Sequence, residues 1–180
     1  GMFLAESGPV AWRGPMLHRA VSQFLTDVHW GDLDFLLIDM PPGTGDIAIS
    51  LGQLLPTAQT IVVTTPQVAA AEVAERSGSV GVQTGQSTFG VIENMSWLEQ
   101  GGERLELFGA GGGQVVADRL STQLLGQVPI SIKLREGSDH GSPVVSENPE
   151  DAAAKAIFEI AESIAETKTP LLGRRLKLST

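Results

Sequence analysis

The residues best suited to chemistry form one string, Phe35-Leu36-Leu37-Ile38-Asp39-Met40-Pro41-Pro42-Gly43-Thr44-Gly45-Asp46. Four apolar residues ending in an acid predict a buried strand that delivers the Asp39 carboxylate at its carboxyl end, where it can hold a Mg²⁺-bound water. Pro41 and Pro42 stiffen the loop that follows, and Gly43 and Gly45 let backbone N–H groups approach an anion such as a terminal phosphate. The plain alternative is a strand and tight turn in which Asp39 bonds its own turn and Asp46 caps the next helix. Two other clusters offer weaker chemistry. Gly109 to Gly113 before a helix could cradle phosphate through the helix N-terminus, or be a loop and nothing more. Ser138, Asp139 and His140 are the residue types of a hydrolase triad, but adjacent residues do not reach triad geometry unaided, and the chain has no Gly-x-Ser-x-Gly elbow.

Composition removes other classes. The 180 residues contain no cysteine, so a disulfide framework, a thiol nucleophile and thiolate-held zinc or iron-sulfur clusters are all excluded from them. His18, His29 and His140 are too scattered for a metal site to be read from spacing, and Trp12, Trp30 and Trp97 read as packing groups. Lys168, Arg174, Arg175 and Lys177 follow the last acid, leaving 8 basic and 21 acidic groups in residues 1–167. A body with a net charge of −13 repels phosphate backbones, so nucleic acid is a poor partner. The N-terminus lacks a basic and apolar leader pattern, and no apolar run reaches the ~18 residues of a membrane span. These features predict a cytoplasmic protein without membrane attachment.

Alternating elements must position the acid. Leu17, Ala20, Val21, Phe24, Leu25 and Val28 share one face of a helix opened by Gly14-Pro15. Apolar runs at Phe35–Asp39, Thr60–Thr64, Gly90–Glu93 and Leu124–Val128 read as strands covered on both faces. Helices are predicted at Asp46–Leu55, Ala69 to about Gln83, Gln114–Leu120 and Pro149–Glu166, the last capped by Asn148. Strands alternating with helices imply an α/β protein with a mainly parallel sheet flanked by helices, whose ligands bind at the carboxyl ends of the strands.

Asp39-Met40-Pro41-Pro42-Gly43-Thr44-Gly45-Asp46 resembles the switch II signature of the Mrp family of deviant P-loop ATPases, relatives of MinD and ParA implicated in iron-sulfur cluster carriage. Further segments resemble the family in order: Pro9 to Met16, Val62-Val63-Thr64-Thr65-Pro66-Gln67, Gly90-Val91-Ile92-Glu93-Asn94-Met95-Ser96, and Phe108 to Gly113. The resemblance implies a MinD-like P-loop fold, with ATP and Mg²⁺ as cofactors of the complete protein. It makes Asp39 the Walker B carboxylate, acting on Mg²⁺ through water. Gly43 and Thr44 fall on the phosphate side, while Asn94 and Pro129 fall on the adenine side. Arg13 reaches phosphate or a partner subunit, or else forms a surface salt bridge. The implied partners are iron-sulfur acceptor or scaffold proteins, and a homodimer is expected separately, because a sheet lacking its first βα units leaves unpaired strand edges that invite a second copy.

Three departures limit what this resemblance implies. None of Lys133, Lys155, Lys168 and Lys177 follows a glycine, so a Walker A loop is missing and the chain resembles a C-terminal portion without its first βα units. Gln100 and Glu103 stand where many relatives carry a Cys-x-x-Cys, and neither replaces a thiolate on a soft iron. Ser131 stands where an Asp is expected beside the base. The expectation is therefore a partial P-loop NTPase domain over 1–167 with a basic extension over 168–180. The chain alone is expected to be inactive as an ATPase and to bind no iron-sulfur cluster. The competing expectation is a degenerate, non-catalytic relative acting as a protein–protein association module.

Overall fold

The computed structural model describes residues 14–40 and 46–167. Gly43, Thr44, Arg13 and the basic extension lie outside the described residues.

The helices are α1 (Gly14–Thr26), α2 (Asp46–Leu54), α3 (Val68–Gln83), α4 (Gly112–Arg119), α5 (Ile132–His140), α6 (Val144–Glu147) and α7 (Ala152–Ala165). The strands are β1 (Gln59–Thr64), β2 (Ser87–Gln100), β3 (Glu103–Leu105) and β4 (Leu124–Ile130). Both β1 and β4 pair with β2 in parallel, and β3 folds back antiparallel on its far end. The sheet is mixed for that reason, with its parallel part as the sequence predicts.

Period-2 geometry explains why the core strands are apolar on both faces. Val62 and its register partner Val91 point to one side, where Ala71 and Ala74 of α3 and Val116 and Ala117 of α4 close over them. Ile92 and Val128 belong to the opposite side, packed by Ala153, Ile157, Ile160 and Ile164. Those four recur at helical spacing on α7, so a single helix face covers β2 and β4. The cover stops short of β1. Val63 is the register partner of Ile92, yet it is 59% exposed.

Several sequence expectations need correction. Phe35–Asp39 forms no strand, and Phe35, Leu36, Leu37, Ile38 and Met40 are all exposed, Leu37 to 79%. Strands hydrogen-bond sideways to a neighbour, and no described strand pairs with this run, so its composition alone cannot make it one. The last helix is capped by Asp151, whose carboxylate accepts from the Ala153 N–H at 2.9 Å. Asn148 instead ends α6, donating its N–H to the Val144 carbonyl, which leaves Pro149 in the connecting turn. The β2 strand runs well beyond Gly90–Glu93 because the hairpin with β3 extends it. At its tip Gly101 and Gly102 both take positive φ, 63° and 85°, as a two-residue turn of this hand requires.

Gly112 is a position where tight packing dictates the residue, because an added Cβ would run into the Pro66 carbonyl. Gly112→Ala is expected to destabilise the protein by about 1–3 kcal/mol through overpacking against backbone, read as a lower urea midpoint at unchanged slope. The exposed apolar run predicts the opposite response. Leu37→Asp is expected to change the unfolding free energy by no more than about 0.5 kcal/mol while lowering any self-association seen in light scattering, and an unchanged association state would show that this run takes no part in it.

Candidate functional site

In a parallel sheet the carboxyl ends of the strands collect loops and helix N-termini, so ligands gather there. Here that edge holds Thr64 at the end of β1 with Thr65 and Pro66 after it, Glu93 and Asn94 in β2, and Val128 and Pro129 in β4. Asn94 is the register partner of Val128, which puts Pro129 one residue further along the adjacent strand. Two of the predicted residues are thus brought to the same end of the sheet. Asp39 is not placed there by any strand; it lies exposed in an irregular segment.

The Asn94 side chain is held by its own backbone. Its carboxamide oxygen accepts from the Met95 N–H at 2.9 Å, which leaves the NH₂ end to donate to an acceptor. Met95 takes a positive φ of 58°, uncommon for a residue with a side chain. The β2–β4 ladder pairs Asn94 with Val128 and next pairs Leu98 with Ile130, so β2 bulges immediately after Asn94. Pro129 is buried and lines an open cleft of about 460 Å³ with Leu98, Glu99, Lys133, Glu150 and Asp151 among its walls. Ser131 opens the same cleft, but its hydroxyl is committed to capping α5, accepting from the Leu134 N–H at 3.1 Å. At the rim, the hydrogen bond from the Lys155 ammonium, 2.8 Å from Glu150, holds that carboxyl below its usual range, and Coulomb attraction adds to the effect.

Glu93 is the residue that sequence reasoning passed over. It is 1% exposed, the largest fully buried side chain among the described residues, and it sits beside the start of α4. Its Oε2 accepts from the Gly113 N–H at 2.6 Å and its Oε1 from the Gln127 Nε2 at 2.7 Å. An acid in an otherwise apolar strand was the available signal, since acids are almost never fully buried unless their oxygens are satisfied. Its position also decides the glycine loop. Gly111 enters the helix in the left-handed conformation at φ 82°, and the carboxyl fills the electropositive N-terminus that a phosphate would use. The Gly109 to Gly113 segment is therefore not a free phosphate cradle.

The triad types disperse along α5. Ser138 donates to the Leu134 carbonyl, Asp139 pairs with Arg135 at 3.5 Å, and the His140 Nδ1 lies 2.8 Å from the Glu136 carbonyl. Gln100 and Glu103 are cross-strand partners flanking the hairpin turn, and beside them the Arg104 guanidinium stacks on Trp97 at 4.1 Å, a cation–π contact. Among the described residues, no group of three His, Cys, Asp or Glu is placed to hold a metal ion. Also among them, the Thr65 hydroxyl, at the end of β1, is buried without a hydrogen-bond partner.

With this geometry in hand, comparison with known proteins gives a consistent result. The family model described as ParA, the NUBPL iron-transfer P-loop NTPase, matches residues 1–165. The chain is 52% identical over 185 residues to the iron-sulfur cluster carrier protein of Mycobacterium leprae (strain TN), covering 99% of this chain and 48% of that protein. It is 45% identical over 168 residues to the protein of the same name from Synechocystis sp. (strain ATCC 27184 / PCC 6803 / Kazusa), covering 92% and 48%. The chain thus spans about half the length of these curated relatives. Among solved structures, it is similar to a nucleotide-binding protein in complex with ADP from Archaeoglobus fulgidus, with TM-score 0.63 and 36% identity over 71% of this chain and 53% of that one. It is also similar to the septum site-determining protein MinD complexed with Mg-ADP from Pyrococcus horikoshii OT3, with TM-score 0.64 and 25% identity over 95% and 65%. Family model, relatives and fold agree: this chain belongs to the ParA family of NUBPL-type iron-transfer P-loop NTPases.

Proposed function

We propose that these residues form the base-side half of an ATP-binding iron-sulfur cluster carrier, with the phosphate-binding loop and the thiolate ligands supplied from outside them. The observation that carries this reading is the Asn94–Val128 register, which sets Asn94 and Pro129 side by side at the carboxyl end of a parallel sheet. Asn94 contributes a donor for a ring nitrogen, and the cleft beside Pro129 is concave and partly apolar, the character of a base-binding surface. The orphaned Thr65 hydroxyl supports a polar ligand at the same edge.

The residues fit a base better than they fit phosphates. No lysine follows a glycine, and the α4 amide that could have met a phosphate is taken by Glu93. Mg²⁺, when bound with ATP in the complete protein, supplies charge neutralisation between phosphates; Asp39 is the candidate to orient its water, with Gly43 and Thr44 contributing to the phosphate side. An iron-sulfur cluster, as cargo, does not fit this stretch, since it holds no cysteine and the Gln100–Glu103 pair offers only hard or neutral oxygen and nitrogen ligands. Cluster contact then falls to a partner or to another part of the protein, and acceptor or scaffold proteins are the partner class.

A second reading, a non-catalytic association module, is favoured by the bare Val63 face of β1 and the exposed run at Phe35–Ile38. Unpaired edges and apolar surface invite a second copy. The two readings differ in nucleotide binding, since the first predicts weak but saturable binding of Mg-ATP and the second predicts none. Titration calorimetry with Mg-ATP is expected to give an affinity weaker than the micromolar range for this chain alone; micromolar binding would show that its phosphate site is already complete. Anaerobic incubation with iron and sulfide is expected to leave no cluster absorbance on the chain after gel filtration, and a retained chromophore would overturn the assignment of the thiolates elsewhere.

A further inference from the structure

Glu93 does more than occupy the α4 amide, because its carboxyl ties β2 to two further elements. One oxygen holds the start of α4 through Gly113, and the other holds Gln127, its own register partner on β4. The fit leaves no slack, because a Cβ on Gly113 would lie 2.6 Å from the Glu93 Cβ and one on Gly112 would run into Pro66. The start of α4 is thereby fixed against the ends of both β1 and β2.

From the same residue the strand continues through Asn94 into the bulge at Met95. The Glu93 carbonyl accepts from the Ser96 hydroxyl at 2.9 Å, and Asn94 folds back on the Met95 N–H. Between Asn94 and Leu98 the bulge has lost its pairing with β4. It is therefore anchored at Glu93 on one side and at the β2–β3 hairpin on the other.

We infer that Glu93 is a positioning residue for Asn94, holding the bulged Asn94–Ser96 segment of β2 and the glycine loop that opens α4 as one unit. The name of the ligand at Asn94 rests on the nucleotide reading; the linkage does not. A carboxyl suits this task because both its oxygens accept, while Gly113 and Gln127 each present a donor. A shorter or apolar side chain leaves a buried N–H and a carboxamide without their acceptor.

Amide hydrogen exchange and chemical shifts on the full 180-residue chain test this, with the Met95 amide as the readout that a simple helix cap would not move. Glu93→Ala is expected to raise exchange at both Gly113 and Met95 by about tenfold or more, with α7 held within about twofold, as local opening rather than global unfolding requires. Glu93→Gln keeps the volume but weakens the charge-assisted bonds, and is expected to raise both by about threefold; it carries the test if the alanine variant does not fold. Glu93→Gln combined with Gln127→Glu rebuilds the pair with its roles exchanged and is expected to bring Met95 back toward wild type. Exchange that rises at Gly113 while Met95 is unchanged would reduce Glu93 to a helix cap, and a uniform rise throughout the core would reduce it to general stability. The measurement contains no nucleotide, so its failure leaves the ATP reading standing, and calorimetric loss of that reading leaves the linkage standing.

Discussion

The rest of the structure hangs on β2, because it is the strand with a parallel neighbour on each side. Its ladder fixes β1 and β4 in register, and its alternating side chains must satisfy two helical layers at once: Val91 against α3 and α4, Ile92 against α7. An acid at the next position would ordinarily be costly in such a place. Glu93 is tolerated since both its oxygens are bonded and one lies at a helix N-terminus, where partial positive charge stabilises an anion. The same carboxyl determines where α4 begins, and so where the glycine loop ends.

This arrangement separates two kinds of surface at the edge of the sheet. On the β2–β4 side the strands are paired, helically covered and continued by capped helices, with Ser131 and Asp151 satisfying the first turns of α5 and α7. On the β1 side the outer face is bare at Val63. Elsewhere in the chain, the run at Phe35–Ile38 has strand composition without a strand partner among the described residues. Apolar surface left open beside an unpaired edge is a place for another polypeptide segment to bind. Asn94 and Pro129 lie on the paired and covered strands, whereas Asp39 lies exposed in an irregular segment.

The hairpin shows how one local sequence can serve two purposes. Two glycines with positive φ close the turn, and the residues on either side become cross-strand neighbours. In this chain those neighbours are Gln100 and Glu103, which bring oxygen and nitrogen groups together rather than thiolates.

The sequence by itself determined the α/β class, three of the four strands it proposed, the helices α1 to α4, and the family, because these depend on periodicity and on contiguous motifs read along the chain. It also settled the absence of thiolates, which is a matter of composition. Only the tertiary structure decided that Phe35–Asp39 is not a strand, since a strand exists by virtue of a neighbour that no local pattern contains. Only it moved the cap of α7 from Asn148 to Asp151, where competition with α6 for the backbone settled the boundary. And only it gave Glu93 a role, because the donors that satisfy its carboxyl come from Gly113 and Gln127, residues remote along the chain that meet it through sheet pairing and the packing of α4.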